Sequence, residues 1–224
     1  MKTKILKICF VVSFMLFPLF CFAQLSVKEA IAKMPTQSIP FNATRNTKFL
    51  NPNYGVTNPN NVIPDKLYDN VQLTEYTHAS DDPELGASSF RKFAIPGSNN
   101  VLLVVSFGGA TDWRTDVMVV VNPSGQILGT LEVAVRVMDM YVKQFRVTAQ
   151  GQVIVTTIKP TSATSIPFGK CSNFAGYRQD ITYSVNAQGQ FVQGLGQTYK
   201  SMVYKKSHLW DETINLWEGG EILQ

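Results

Sequence analysis

A mainly β fold is predicted, an antiparallel meander forming a β-sandwich or partly open barrel, and three observations predict it. First, one turn recurs: Asn122-Pro-Ser-Gly125-Gln-Ile127, Thr148-Ala-Gln-Gly151-Gln-Val153 and Asn186-Ala-Gln-Gly189-Gln-Phe191. Each begins with a short polar residue, reaches glycine three positions on, and continues with glutamine and a large apolar residue. This is hairpin chemistry on a type I turn, with glycine at positive φ forming a bulge. Second, the segments between these turns are short, apolar and rich in valine and isoleucine. Third, about ten segments of strand length follow one another with turn residues between them, which describes a sandwich or barrel. The three glycines are unequally spaced, so the turns do not mark a solenoid or propeller repeat.

In chain order, Ser26-Val-Lys-Glu29 is a capping box, and Val27, Ala30, Ile31 and Met34 fall on one helical stripe. A short helix is therefore expected within residues 24–35, stopped by Pro35, with its stripe laid on the sheet. Residues 40–64 hold seven asparagines and two Asn-Pro steps without any hydrophobic period, which reads as an irregular arm. The meander is expected over residues 68–204. It opens with a strand around Val71, Leu73 and Tyr76, and a second follows at residues 90–95. Val101-Leu-Leu-Val-Val-Ser-Phe107 and Val117-Met-Val-Val-Val121 are nearly continuous apolar runs, the mark of strands covered on both faces. Leu131, Val133, Val135 and Val137 alternate with Glu132, Ala134 and Arg136, a strand with one wet face. Shorter strands are expected at residues 145–147, 153–158, 181–185, 191–195 and 198–204, with a long excursion over residues 160–176. Residues 207–220 read as a second helix or as one more strand; Trp210, Ile214 and Trp217 have helical spacing.

Lys2, Lys4 and Lys7 precede an apolar run from Ile8 to Phe22, and Ala23 before Gln24 is a cleavage position. Residues 1–23 thus read as a secretory signal peptide, since a spanning helix needs roughly 20 apolar residues. The mature single domain, residues 24–224, is expected to be periplasmic or extracellular. Its formal charge is +1, the chain's +4 less the three signal lysines. That balance leaves no electrostatic footprint for nucleic acid, and no later apolar run has the length of a transmembrane segment. Two cysteines leave with the signal, so Cys171 stands alone. It reads as a sheltered thiol, with a nucleophile or an intermolecular disulfide as alternatives.

The signal ending in Ala23-Gln24, the stretch Val27-Lys-Glu-Ala-Ile-Ala-Lys-Met-Pro35 with Ile39-Pro40 after it, and the later meander resemble small secreted proteins of unknown function from the Bacteroidetes. The specific part covers the mature N-terminus, and the resemblance implies a cell-envelope address. It carries over no activity and no site residue.

For catalysis, the chain lacks a Gly-x-Ser-x-Gly elbow, a His-Glu-x-x-His pair, a phosphate-cradling glycine loop and a dinucleotide fingerprint. A Cys171–His208 thiol pair is conceivable on residue types alone. Asp81, Asp82 and Glu84 form an acidic turn without the spacing of a calcium loop. Asp112, Arg114 and Asp116 alternate, as an ion-pair cluster on a strand surface would. No metal site and no cofactor is expected. The aromatic residues Trp113, Trp210 and Trp217 are the candidate ligand platforms, although the helical spacing of Trp210 and Trp217 favours the apolar stripe of a packed helix for those two.

These readings lead to a secreted cell-envelope binding or interaction module without catalytic activity, whose partner is a glycan, a peptide or an envelope protein. The alternatives are a glycan- or peptide-acting hydrolase with unidentified carboxylates, and a surface-assembly subunit that uses the arm.

Overall fold

The three repeated turns close three hairpins, and their hydrogen bonds show why. In a computed structural model that describes residues 27–34, 36–43, 92–108, 113–137, 140–162, 173–210 and 215–218, Gly125, Gly151 and Gly189 have φ of 88°, 77° and 79°. The Asn122 Oδ1 accepts from the N–H groups of Ser124 and Gln126 at 3.0 and 2.9 Å, and Asn186 repeats this with Gln188 and Gln190. Thr148 does the same job with its hydroxyl, which accepts from Gln152 N–H at 3.1 Å. Two glycines are needed for room as well as for φ. A Cβ on Gly151 would stand 2.6 Å from Pro96 Cδ, and one on Gly189 would stand 2.4 Å from Leu128 Cδ1.

The chain is mainly β: one large, mostly antiparallel open sheet of 11 strands with almost no helix. In order, the elements are α1 (Val27–Lys33), β1 (Thr36–Gln37), β2 (Phe41–Asn42), β3 (Lys92–Ala94), β4 (Val101–Gly108), β5 (Trp113–Val121) and β6 (Ile127–Val137). Then come β7 (Met140–Val147), β8 (Val153–Pro160), β9 (Asn173–Val185), β10 (Phe191–Thr198), β11 (Met202–Lys205) and α2 (Lys206–Trp210). The sheet runs β1-β3-β4-β5-β6-β7-β8-β9-β10, with β2 added to β7 and β11 to β9. Among the described residues only the β1–β3 pair is parallel.

The main core draws on β3 to β8: Phe93, Leu102, Val104, Met118, Val120, Val133, Phe145, Val147, Val153 and Val155 are buried together. Leu128, Tyr183, Val185 and Phe191 pack against the same cluster. The intervening residues of β4 and β5 (Leu103, Val105, Val117, Val119 and Val121) point the other way and form a second cluster with Met34 and Ile31 of α1. This is the two-sided burial that their continuous apolar runs predict. Full burial of a side chain such as Met34 stabilises by about 1.5–3 kcal/mol. Lys92 Nζ donates to Ile31 O at 2.7 Å, a carbonyl in the last turn of α1 that also accepts from Met34 N–H at 3.2 Å.

Several elements depart from the sequence expectation. The predicted wet face of β6 is interrupted, because Val133, Ala134 and Val135 are all buried. The β5–β6 register shifts between Asp116 and Val117, leaving Val133 as an extra residue, and a one-residue slip exchanges the faces of a strand. Asp116 is also buried, not part of a surface cluster. The arm does not begin loose at residue 40. Phe41 packs its ring 5.2 Å from that of Phe93, β2 pairs with β7, and Ala43 N–H donates to Phe145 O at 3.1 Å. Burial of one aromatic ring outweighs the turn-forming composition around it. β9 already begins at Asn173, so the excursion after β8 ends earlier than expected.

Among the described residues of the C-terminus the helix is α2, whereas Leu216 and Trp217 lie in a turn that Glu218 N–H closes onto Asn215 O at 3.1 Å. Trp217 is therefore not on a helical stripe with Trp210. No helix among the described residues is long and apolar enough to cross a membrane. The signal peptide, Ser26, most of the arm, the strand around Val71, the acidic turn at Asp81, and Cys171 all lie outside the described residues.

Candidate functional site

Strand alternation builds a polar face on the far side of β7, β8 and β9. Phe145, Val147, Val153 and Val155 turn inward to the main core, so Gln144, Arg146, Ile154, Thr156, Arg178 and Asp180 turn outward. Register then aligns them: Gln144 is opposite Thr156, Thr156 opposite Asp180, and Asp180 opposite Gln197. α2 and the Leu216–Trp217 turn cover this face. Leu209 and Leu216 are buried on Ile158 and Phe174. Leu216 N–H donates to Gln144 Oε1 at 2.8 Å, tying the cover to the sheet.

Asp180 is the centre of the face. Its Oδ2 meets Arg146 Nη2 at 3.2 Å and accepts from the Tyr199 hydroxyl at 3.3 Å. The Oδ1 accepts from Thr156 Oγ1 at 2.8 Å and lies 3.5 Å from Arg178 Nε. Asp180 is 8% exposed and Arg178 5%, so both charges are held away from water and each depends on the other. Two aromatic rings flank the guanidinium groups. The Arg178 Cζ stands 3.4 Å from the Tyr199 ring centroid, and the Arg146 Cζ 5.3 Å from that of Trp217. Such cation–π contacts strengthen as the pair is desolvated. Tyr204, at the margin, has its hydroxyl pKa raised, mainly by burial, with Arg178 lowering it and Asp180 raising it.

Beside the cover, over β7–β10, lies an open cavity of about 650 Å³, lined by Arg146, Arg178, Asp180, Leu195 and Tyr199 together with nearby β8–β10 residues, and by Trp217 from the cover. Arg146 is the side chain that faces both ways. Its Nε is buried without a hydrogen-bond partner, while about a quarter of the side chain (26%) is exposed. The wall combines a guanidinium with free donor capacity, an indole, a phenol and one leucine. That mixture suits a ligand with an anionic group and a flat or apolar body.

Of the three expected platform residues, Trp217 lines the cavity. Trp113 opens β5 opposite Val137, on a different part of the sheet, and Trp210 closes α2. His208 is exposed on α2. Among the described residues no group of three His, Cys, Asp or Glu side chains is placed to hold a metal ion. Sequence reasoning missed Arg146, Arg178 and Asp180. A signal was present: Arg178 and Asp180 are two apart in a β segment and must share a face. The same argument was spent on Arg114 and Asp116 instead.

No protein-family model matches the chain, and neither a curated protein nor a solved structure matches it significantly.

Proposed function

We propose that the chain is a non-enzymatic binding module of a bacterial envelope, exported by its signal peptide, that takes its ligand in the cavity beside the C-terminal turn. In this reading the sheet curves toward a partly open barrel or sandwich, which leaves one outer face free to carry a site. The observation that supports it most is Arg146, poised between Asp180 and Trp217 with buried donor capacity left over. The ligand is a glycan or peptide bearing a carboxylate, which a planar guanidinium recognises well.

The hydrolase alternative finds less support. Among the described residues the cavity presents one carboxylate, Asp180, and both of its oxygens are engaged. Glycoside cleavage uses two carboxyl groups about 5–9.5 Å apart.

The test is a thermal-shift titration of residues 24–224 with an oligogalacturonide and with an acidic peptide. A ligand at about 100 times its Kd stabilises the fold by about 2.7 kcal/mol. We expect such a shift for one of the two, and its loss in Arg146→Ala. No shift with either, or a shift unaltered in Arg146→Ala, removes this reading.

A further inference from the structure

Among the described residues four large apolar side chains are exposed: Val192, Leu195, Met202 and Val203. All four lie on β10 and β11, which together line one side of β9. β10 ends the strand order, and β6 comes beside it only at its start, where Gly129 lies against Gly189, Gln190 and Phe191 N; from Val192 on, its outer side has no strand paired to it among the described residues. Sheet edges are usually blunted by brevity, lysine or proline, because unpaired backbone N–H and C=O groups invite another chain. The opposite edge follows that rule, since β1 is two residues long. β10 does not. Phe191-Val-Gln-Gly-Leu-Gly-Gln-Thr198 contains no charge and no proline. A register shift between Gln193 and Gly196 inserts one extra residue, and Leu195 there is 89% exposed.

We infer that this edge is an interface for a second copy of the chain, with the two β10 strands antiparallel about a two-fold axis. The strand is self-complementary in that arrangement. With the axis at Leu195, that residue meets its own counterpart, Gly194 faces Gly196, and Gln193 faces Gln197. The glycines let the backbones approach, the amides donate to and accept from each other, and no like charges are opposed. A strongly charged partner would find no counter-charge on this strand, whereas a second copy fits it. The exposed Val192 and Leu195 become the apolar centre of the joint. Leu195 and Gln197 also line the cavity, so the joint borders it, and the test below is run without ligand so that it reads association alone.

Sedimentation of residues 24–224 from about 1 µM to about 1 mM covers the affinity range of such a contact. The wild-type chain is expected to pass from monomer to dimer, and Val192→Lys/Leu195→Lys to stay monomeric with an unchanged melting temperature. A cross-linking arm fixes the geometry. In a Cys171→Ser background, Leu195→Cys is expected to give a disulfide-linked dimer on mild oxidation, because directly opposed strand residues are about 4.5–5.5 Å apart at Cα. Val203→Cys, away from the axis, is expected to give none. A wild-type monomer at the highest concentration, a lysine variant that dimerises equally, or equal cross-linking at both cysteines overturns the inference. So does a chain that stays monomeric yet captures an added extended peptide.

Discussion

Two outer faces of the same sheet have been finished in opposite ways. Over β4 and β5 the cover is α1, and everything beneath it is apolar: Leu103, Val105, Val117, Val119 and Val121 against Met34 and Ile31. Over β7, β8 and β9 the cover is α2 and the Leu216–Trp217 turn. It rests partly on Ile158 and Phe174 and partly on Gln144 and Arg146, and Arg146 is in turn paired with Asp180 beside Thr156 and Arg178. The dry face can only stabilise. The polar face costs desolvation of buried charge, which mutual pairing largely offsets, and in exchange it holds directional donors beside a cavity. A fold that needed only a lid would have used the first solution twice.

Breaking the polar face should have the larger effect. Asp180→Ala leaves Arg146 and Arg178 facing each other without their shared carboxylate, and truncating one member of a buried charge cluster costs about 3–5 kcal/mol. Urea unfolding followed by circular dichroism should show that loss. A change below about 1 kcal/mol would mean that Asp180 is not the keystone of the face. Met34→Ala tests the dry face. It removes a buried side chain, and the expected loss is about 2–3 kcal/mol, near the low end for methionine because a helix as short as α1 can settle into the gap. Ligand binding in the cavity should be untouched by Met34→Ala. If both properties fall together, the two faces are coupled through the sheet.

The smallest effect is a pH dependence. The Tyr204 hydroxyl, stacked 5.6 Å from Phe174 under the C-terminal cover, has its pKa raised chiefly by burial. Tyr183, packed against the main core, is raised by burial as well. The folded chain then holds these protons more tightly than the unfolded chain does. Their contribution is complete below the unfolded value near 10 and is lost as pH rises through the raised folded values. Unfolding midpoints for wild type, Tyr204→Phe and Tyr183→Phe between about pH 8 and about pH 11 should therefore diverge only at the alkaline end. Identical alkaline slopes in all three would exclude these two tyrosines as the source.

Much of the fold was legible because its signals are local. The three Gly-Gln turns state their own hydrogen bonds, and the continuous apolar runs of β4 and β5 state that both faces are covered. The β6 pattern misled because alternation presumes an unbroken register, and the bulge at Val133 shifts the frame after it. Phe41 misled because one ring in the core outweighs a neighbourhood of asparagine and proline. Of the candidate site, Trp217 is legible as an aromatic platform, whereas the helical stripe that its spacing suggests is not formed, since it reaches the cavity from a turn tied to Gln144.

By itself, then, the sequence determined the β class, the hairpin positions and the need to cover β4 and β5 twice, since each depends on residues within a few positions of one another. Only the tertiary structure decided that Arg146, Arg178, Asp180, Tyr199 and Trp217 share one cavity. Those residues come from β7, β9, the link after β10 and the terminal turn, as much as 71 positions apart from Arg146 to Trp217. Strand register and the docking of the C-terminal turn bring them together, and both are set by burial summed over the whole sheet, which no local pattern records.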